Sequence, residues 1–278
     1  MRFAITTCIL LFIGAFLEMN VDATGTTQLL RIDSRYVKDQ DFIIQVYLPS
    51  SYGDTTKSFP VIYLLDADRS FGMSMDIVEW LGYGKDIGEV IVVGIGYGGS
   101  TERWWNLRAR DFTPTRDREK KYGDWPETGG ARNFQMFLEK ELFPTIEVRY
   151  TTKPDQRTLF GFDLGGLFAS YIMLTKPELF QNYVLISPTI SWDNRYIFGL
   201  EKKYFNRNKE LNANVFVMMG GLDSKEDYLI PGSEFVETLR NRDYKGFKLF
   251  THRYDNDTHF SVFPAALTDG IKAIYKRE

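Results

Sequence analysis

The chain has 278 residues, a formal net charge of −3 and an isoelectric point near 5.6. This balance gives no support for a nucleic-acid partner, because the most basic run, Arg116 to Lys121, is interrupted by Asp117 and Glu119. With 44% hydrophobic residues the chain can form a substantial core, which excludes a disordered protein.

The first residues resemble a secretory signal peptide. Met1 and Arg2 precede an apolar run from Phe3 to Leu17, and small residues at Val21 and Ala23 suit cleavage after Ala23. We therefore expect residues 1–23 to be a signal peptide and the protein to be exported, either to a periplasm or outside the cell. The apolar run is short for a membrane span, so an uncleaved anchor is the alternative, and no stable span is expected after cleavage.

Cysteine usage follows from this assignment. Cys8 is the only cysteine and lies within the predicted leader, so the mature chain would have none. This excludes a disulfide framework and a cysteine-based zinc site.

Eight apolar or alternating runs, each bounded by turn residues, predict strands. The first two alternate enough to form an antiparallel hairpin, whereas the later runs are continuously apolar, which is typical of strands buried on both faces. They are Gln28–Arg35, Phe42–Ser50, Val61–Ala67, Val90–Tyr97, Thr158–Phe162, Tyr183–Pro188, Val215–Gly221 and Phe247–Tyr254.

Helical patterns lie between these runs. Phe134, Phe137, Leu138, Leu142 and Ile146, for example, recur at three- and four-residue spacing. Alternating strands and helices predict a single α/β domain over residues 24–278, with a mostly parallel sheet of about eight strands and helices on both faces. The predicted helices are Ser74–Leu81, Ala131–Ile146, Gly165–Thr175, Ser233–Asn241 and Val262–Lys276.

The longest stretch without a clear pattern is Gly98–Gly130, rich in Arg, Trp, Pro and Gly. We predict a loop here, on the substrate side of the sheet because it follows the fourth strand. Arg108 and Asp111 are expected to hold this loop in place, and Trp104 or Trp105 to line a pocket.

A tight turn joins the fifth predicted strand to the next helix. Gly161-Phe162-Asp163-Leu164-Gly165 has the glycine spacing of the G-x-S-x-G nucleophile elbow, with aspartate at the serine position. Glycines are needed there because the apex residue turns sharply and flanking side chains would clash.

Five segments together resemble a known family. The sequence over about residues 28 to 276 is similar to the esterase family of α/β-hydrolases, which includes S-formylglutathione hydrolase, siderophore-ester hydrolases and bacterial mycolyltransferases. The segments occur in the family's order, and the departure is Asp163. They are "PVIYLLDA", "RARDFTPT", "FGFDLGGLFASYIMLTKPELF", "YVLISPTISWDN" and "THFSVFPAALTDGIKAIY".

The order of the elements also indicates the partners of Asp163, since in this fold an acid and then a histidine follow the elbow. Of the two histidines, His252 lies in the last strand pattern, whereas His259 lies in a polar loop before the final helix. Asp223 matches the family's acidic position, with Glu226 and Asp227 as alternatives.

An oxyanion hole would use the backbone N–H of Leu164 and one from the loop after the third strand. The resemblance implies Asp68 as the second donor, with Arg69 beside it, and gives no indication of a cofactor or a metal. We expect an exported esterase acting on ester bonds of a small acyl compound, with the oligomeric state left open.

Asp163 leaves the activity in question. An acyl-aspartate would be a high-energy anhydride, and a carboxylate beside a developing oxyanion opposes its formation. Four alternatives follow. Asp163 could attack an sp³ carbon, as in haloalkane dehalogenases and epoxide hydrolases, or hold a water for direct attack. The protein could instead bind its ligand without catalysis, or Asp163 could be an engineered replacement of serine.

Overall fold

The structure is a computed structural model that describes residues 25–118 and 123–277. Eight strands form one sheet, as predicted from the apolar runs. The predicted signal peptide and the end of the basic run at Lys121 lie outside the described residues. The strands are β1 (Thr26–Asp33), β2 (Asp41–Leu48), β3 (Phe59–Leu64), β4 (Ile91–Gly96), β5 (Thr152–Phe162), β6 (Asn182–Ile186), β7 (Glu210–Gly220) and β8 (Lys245–Tyr254).

The sheet has the order β1-β2-β4-β3-β5-β6-β7-β8. The hairpin β1–β2 is antiparallel, β2 pairs antiparallel with β4, and all later pairs are parallel. The central strands are buried on both faces, since every residue of β4 is buried. Their continuous apolar sequence is what a sheet covered on both sides requires.

Eight helices cover the sheet within the described residues. Helices α1 and α8 pack on one face, and α3, α4 and α5 pack on the other, so each face has its own apolar cluster. A π-helical turn, Leu138–Leu142, separates α3 from α4. The helices are α1 (Ala67–Tyr83), α2 (Thr101–Phe112), α3 (Ala131–Phe137), α4 (Phe143–Arg149), α5 (Leu164–Thr175), α6 (Trp192–Arg207), α7 (Ile230–Arg240) and α8 (Val262–Tyr275).

The predicted long loop, Gly98–Gly130, is wrong in its first half, because α2 occupies Thr101–Phe112. The Ser100 side chain caps this helix by accepting a hydrogen bond from the N–H of Arg103. The helix escapes a hydropathy pattern because two of its four buried residues, Arg108 and Asp111, are charged.

Helix α6 was not predicted either. Its first turn is irregular, because Asp193, Asn194 and Arg195 all have positive φ. Non-glycine residues seldom adopt this conformation, so no helical start signal is visible in the sequence.

No helix within residues 25–118 and 123–277 combines the length and the apolar character that crossing a membrane requires.

The elbow glycines permit a close approach of β5 to α5. A Cβ at Gly161 would lie 2.1 Å from the carbonyl oxygen of Gly165, and one at Gly166 would lie 2.8 Å from the Cβ of Pro188. The Gly165 oxygen and the Pro188 Cα, which lies 2.9 Å from a Cβ at Gly166, are backbone atoms that cannot move aside cheaply, so Gly161 and Gly166 need glycine. The second glycine of the predicted spacing, Gly165, is not required in this way, because a Cβ there would make only ordinary contacts at 3.4 Å and beyond.

We predict that Gly161→Ala lowers the free energy of unfolding by about 3 kcal/mol or more, because the new methyl group would overlap backbone. Urea denaturation checks this. Gly199→Ala is the matched control, because a Cβ there meets nothing within 4 Å in the exposed part of α6 and should stabilise the helix by up to about 1 kcal/mol. An unchanged midpoint for Gly161→Ala would contradict the tight elbow.

Candidate active site

Asp163 lies at the apex of the turn between β5 and α5, with φ 56° and ψ −115°. Its N–H donates to the carbonyl of Ile186, and its carbonyl accepts from the N–H groups of Leu167 and Thr189. This backbone conformation is unfavourable for a residue with a side chain and persists only where neighbouring contacts hold it. The turn has the strained geometry that the glycine spacing predicts.

The Asp163 carboxylate is almost fully enclosed, with 11% of the side chain exposed. Oδ2 accepts a hydrogen bond from Nη1 of Arg108 at 2.9 Å. Oδ1 accepts from Oγ1 of Thr189 at 2.6 Å and from Oη of Tyr228 at 3.0 Å. Both oxygens are therefore occupied by donors of this chain.

Arg108 joins Asp163 to a second buried carboxylate. Its Nε and Nη2 donate to Asp66 at 2.8 and 2.9 Å, while its third nitrogen donates to Asp163. The side chain is 1% exposed, and its guanidinium carbon lies 5.0 and 5.1 Å from the ring centres of Trp104 and Trp105.

These contacts revise two expectations for α2. Arg108 does not simply hold a loop, because it contacts the elbow apex directly. Asp111 pairs with Arg110 rather than with Arg108. The two tryptophans pack on the guanidinium, which places them next to the apex.

His259 and Asp223 form the second part of the site. Nδ1 of His259 lies 3.0 Å from Oδ1 of Asp223, whose side chain is fully buried. A carboxylate oxygen accepts, so Nδ1 carries the hydrogen and Nε2 faces away from Asp223. Asp223 is thus the acidic candidate that bonds to this imidazole. Glu226 and Asp227 lie on the next π-helical turn.

Asp223 is itself held in place. Its Oδ2 accepts from Oγ of Ser187 at 2.6 Å and from the N–H of Gly220 at 3.2 Å. These bonds fix the carboxylate at the ends of β6 and β7 and thereby orient the imidazole.

His259 Nε2 lies 3.7 Å from Oδ1 of Asp163. The imidazole packs against the rings of Phe162 and Tyr228, at 4.7 and 4.2 Å between ring centres. His252, by contrast, belongs to β8, as its sequence pattern predicts. The fold thus brings His259 and Asp223 together with the apex.

Burial by itself raises the pKa of Asp163, but the Arg108 guanidinium, followed by His259 and the hydrogen bonds from Thr189 and Arg108, outweighs burial and lowers it. Burial raises the pKa of Asp66, opposed by the same guanidinium. Asp163 is therefore an anion at neutral pH.

The predicted oxyanion donors lie at two helix N-termini. Leu164 is the first residue of α5, and Asp68 is the second residue of α1. A Cβ at Gly165 would lie 3.4 Å from Leu65 and 3.5 Å from Asp66, so the two helix starts are adjacent. The Asp68 carboxylate accepts from the N–H groups of Tyr97 and Gly98, which anchors the start of α1 to the end of β4.

Arg69 lies at the exposed side of this junction. It donates to Oγ1 of Thr101, and its guanidinium carbon lies 5.3 Å from the ring centre of Trp104. Within the described residues, no group of three or more His, Cys, Asp or Glu side chains has the arrangement of a metal site.

Sequence reasoning missed Thr189, Tyr228, Ser187 and Asp66. Tyr228 lies outside the recognised segments. Ser187 and Thr189 lie within the "YVLISPTISWDN" segment, but nothing local marks their roles, and Ser187 orients Asp223 from a position 36 residues earlier. Asp66 is the penultimate residue of the "YLLDA" segment, so only its position just after a strand could have marked it.

The sheet order, the strained elbow and the acid–histidine pair define an α/β-hydrolase fold. A family model described as "Putative esterase" matches residues 36–274, and the chain belongs to that family. The chain is 34% identical over 226 residues to the ferri-bacillibactin esterase BesA of Bacillus subtilis (strain 168), covering 77% of this chain and 78% of that protein.

Two solved structures support the same grouping. The BES protein from Bacillus cereus has a TM-score of 0.80 and 29% identity, covering 90% of this chain and 96% of its own. An IroE-like serine hydrolase from Shewanella oneidensis has a TM-score of 0.79 and 27% identity, covering 90% and 80%. The latter is described as a serine hydrolase, whereas the present chain has aspartate at its elbow.

We predict that Asp163→Asn lowers the free energy of unfolding at neutral pH by about 1 to 3 kcal/mol, because it removes the charge that Arg108, Thr189 and Tyr228 solvate. The folded-state pKa of Asp163 is depressed, so this stabilisation is present above its ordinary value of 3.8 and is lost as the pH falls below it.

Denaturation of both proteins at pH values from about 7 to about 2.5 measures this dependence. Asp155→Asn is the control, because Asp155 is exposed and should change stability by no more than about 0.5 kcal/mol at any pH. If the difference in free energy of unfolding between wild type and Asp163→Asn stays the same in acid, the Asp163–Arg108 ion pair is not its source.

Proposed function

We propose that the protein recognises siderophore-type esters at the elbow and hydrolyses them slowly, with water as the attacking group and His259 as the base. The observation that carries this proposal is the oriented imidazole: Asp223 holds Nδ1 at 3.0 Å, and Nε2 lies 3.7 Å from the apex oxygen. The substrate class is supported by the siderophore esterase among the relatives that match this chain.

Asp163 is a poor candidate for the nucleophile. Attack on an ester carbonyl would produce an anhydride, which is less stable than the ester consumed. Both carboxylate oxygens also accept hydrogen bonds, one of them from a guanidinium, and these bonds lower the nucleophilicity of the carboxylate. This lowered nucleophilicity also weakens attack on an epoxide or a haloalkane.

The apex charge also limits the rate. A carboxylate about 4 Å from the developing oxyanion opposes it by roughly 4 kcal/mol at an effective dielectric constant near 20. This corresponds to about a thousandfold in rate. The proposed hydrolysis is accordingly slow compared with the reaction of an otherwise identical serine site.

One observation favours a second candidate, a protein that binds the ester without cleaving it. The Asp163 carboxylate has a complete set of donors and a lowered pKa, so it is stable as it stands without a substrate. If the Asp163 carboxylate serves only to hold the fold together, a ligand would bind outside the elbow and would not contact this carboxylate.

Export completes the proposal. The leader-like residues 1–23 and the absence of cysteine after Cys8 support release of a mature chain that begins at Thr24. Mass spectrometry of the protein recovered from the periplasm or medium of a bacterial host should give the mass of residues 24–278. Recovery of the intact chain, retained by the membrane, would contradict this prediction.

We predict that Asp163→Ser raises kcat/KM for 4-nitrophenyl butyrate and for ferri-bacillibactin by about a thousandfold over the unaltered chain. The reason is that serine restores a hydroxyl beside His259 and removes the opposing charge. Initial rates by absorbance and by chromatography of the cleaved siderophore measure the change. Asp163→Ser combined with His259→Ala is the control and should lose the gain.

The alternatives give different results. Binding of ferri-bacillibactin without measurable turnover by the unaltered chain, with turnover by Asp163→Ser, would favour the binding protein. Robust turnover that disappears in Asp163→Asn, or a covalent mass shift on Asp163 after incubation with an epoxide, would favour carboxylate chemistry. If neither protein binds or cleaves either ester, the proposed function is wrong.

A further inference from the structure

Three donors from separate parts of the chain converge on the Asp163 carboxylate. Arg108 comes from α2, Thr189 from the segment after β6, and Tyr228 from the π-helical turn Lys225–Leu229 after β7. Their donor atoms lie 2.9, 2.6 and 3.0 Å from the carboxylate oxygens. Together they bond both carboxylate oxygens, and the carboxylate is joined to the elbow backbone through its Cβ.

This set has the properties of a carboxylate receptor. Arg108 and Thr189 are each 1% exposed with the Asp163 carboxylate in place, so the anion and these two donors are enclosed together away from water. A guanidinium N–H to one oxygen and hydroxyls to the other form charge-assisted hydrogen bonds, the strongest class for this ligand. Burial, followed by the charge of Asp163, raises the pKa of Tyr228 far above its ordinary range, so its hydroxyl remains a donor.

The donors are also held independently of Asp163. Two nitrogens of the Arg108 guanidinium, Nε and Nη2, donate to Asp66, and Trp104 and Trp105 pack on the same guanidinium. The Tyr228 ring packs on the imidazole of His259 at 4.2 Å. The pocket should therefore keep its shape when the Asp163 side chain is removed.

We infer that Arg108, Thr189 and Tyr228 form a binding pocket for a small monocarboxylate, and that in this chain the tethered side chain of Asp163 occupies it. Chemically, that side chain is an acetate attached through its methyl carbon. The unaltered site is thus closed to ionised ligands, and an ester reaches it only with an uncharged group at the apex. This inference does not depend on whether the chain cleaves an ester.

Glycine at the apex provides a clean test. With φ 56° and ψ −115°, position 163 suits glycine better than any residue with a side chain, so Asp163→Gly relieves backbone strain while it vacates the pocket. Titration with sodium acetate at constant ionic strength, by calorimetry and by thermal unfolding, should show one saturable site with a dissociation constant in the millimolar range or tighter. The unaltered chain should show none.

Two double variants assign the site. Asp163→Gly with Tyr228→Phe should bind acetate at least about tenfold more weakly, because one donor to the anion is lost. Asp163→Gly with Tyr204→Phe is the matched control and should bind as Asp163→Gly does, since Tyr204 donates to Glu210 on the protein surface. Propionate should bind more weakly than acetate in each protein, because the space vacated is that of one acetate.

The inference is overturned if folded Asp163→Gly binds no acetate, if the unaltered chain binds it equally, or if Tyr228→Phe has no effect in the glycine background. Sodium chloride at the same ionic strength must not reproduce the thermal shift. If Asp163→Gly fails to fold, Asp163→Ala replaces it: this variant keeps Cβ and vacates only the carboxylate position, so sodium formate takes the place of acetate as the titrant and the same outcomes decide.

Discussion

The site depends on one buried guanidinium. Arg108 lies between Asp66 at the end of β3 and Asp163 at the end of β5, and it binds both carboxylates while 1% exposed. Two buried carboxylates so close together would repel each other and lose their hydration without a cation between them. The guanidinium therefore allows two neighbouring turns of the sheet to carry aspartates, and it fixes the start of α5 relative to α1.

The same interaction changes the chemistry of the elbow. In a serine site the apex hydroxyl hydrogen-bonds to histidine and is otherwise free to attack. Here Arg108, Thr189 and Tyr228 hold the apex carboxylate as a stable anion, and the His259–Asp223 pair is retained beside it. Family membership thus describes the scaffold of this protein. Its reaction depends on the four side chains around the Asp163 carboxylate, which are those of Arg108, Thr189, Tyr228 and His259.

The errors of sequence reasoning have a common cause. Helix α2 was predicted as a loop because Arg108 and Asp111 interrupt its apolar face. Arg108 is buried only because Asp66 and Asp163, from other parts of the chain, supply its partners. Helix α6 begins with three non-glycine residues of positive φ, which interrupt the helical pattern at its start. Burial of charge and backbone strain are both imposed by tertiary contacts, so a local pattern cannot reveal them.

Local pattern and the order of segments predicted the strands, the hairpin, the turn at Gly161 and His259, because each depends on spacing within a short segment or on sequence order. The acid was narrowed by the family resemblance to Asp223, with Glu226 and Asp227 as alternatives, and only the fold shows Asp223 bonded to His259. Tertiary structure alone decided what surrounds Asp163. Thr189, Arg108 and Tyr228 lie 26, 55 and 65 residues away in the chain, and folding brings them within 3.0 Å of one carboxylate. Only the folded sheet places the ends of its strands together, and that meeting point determines whether the apex aspartate is a reagent or a bound anion.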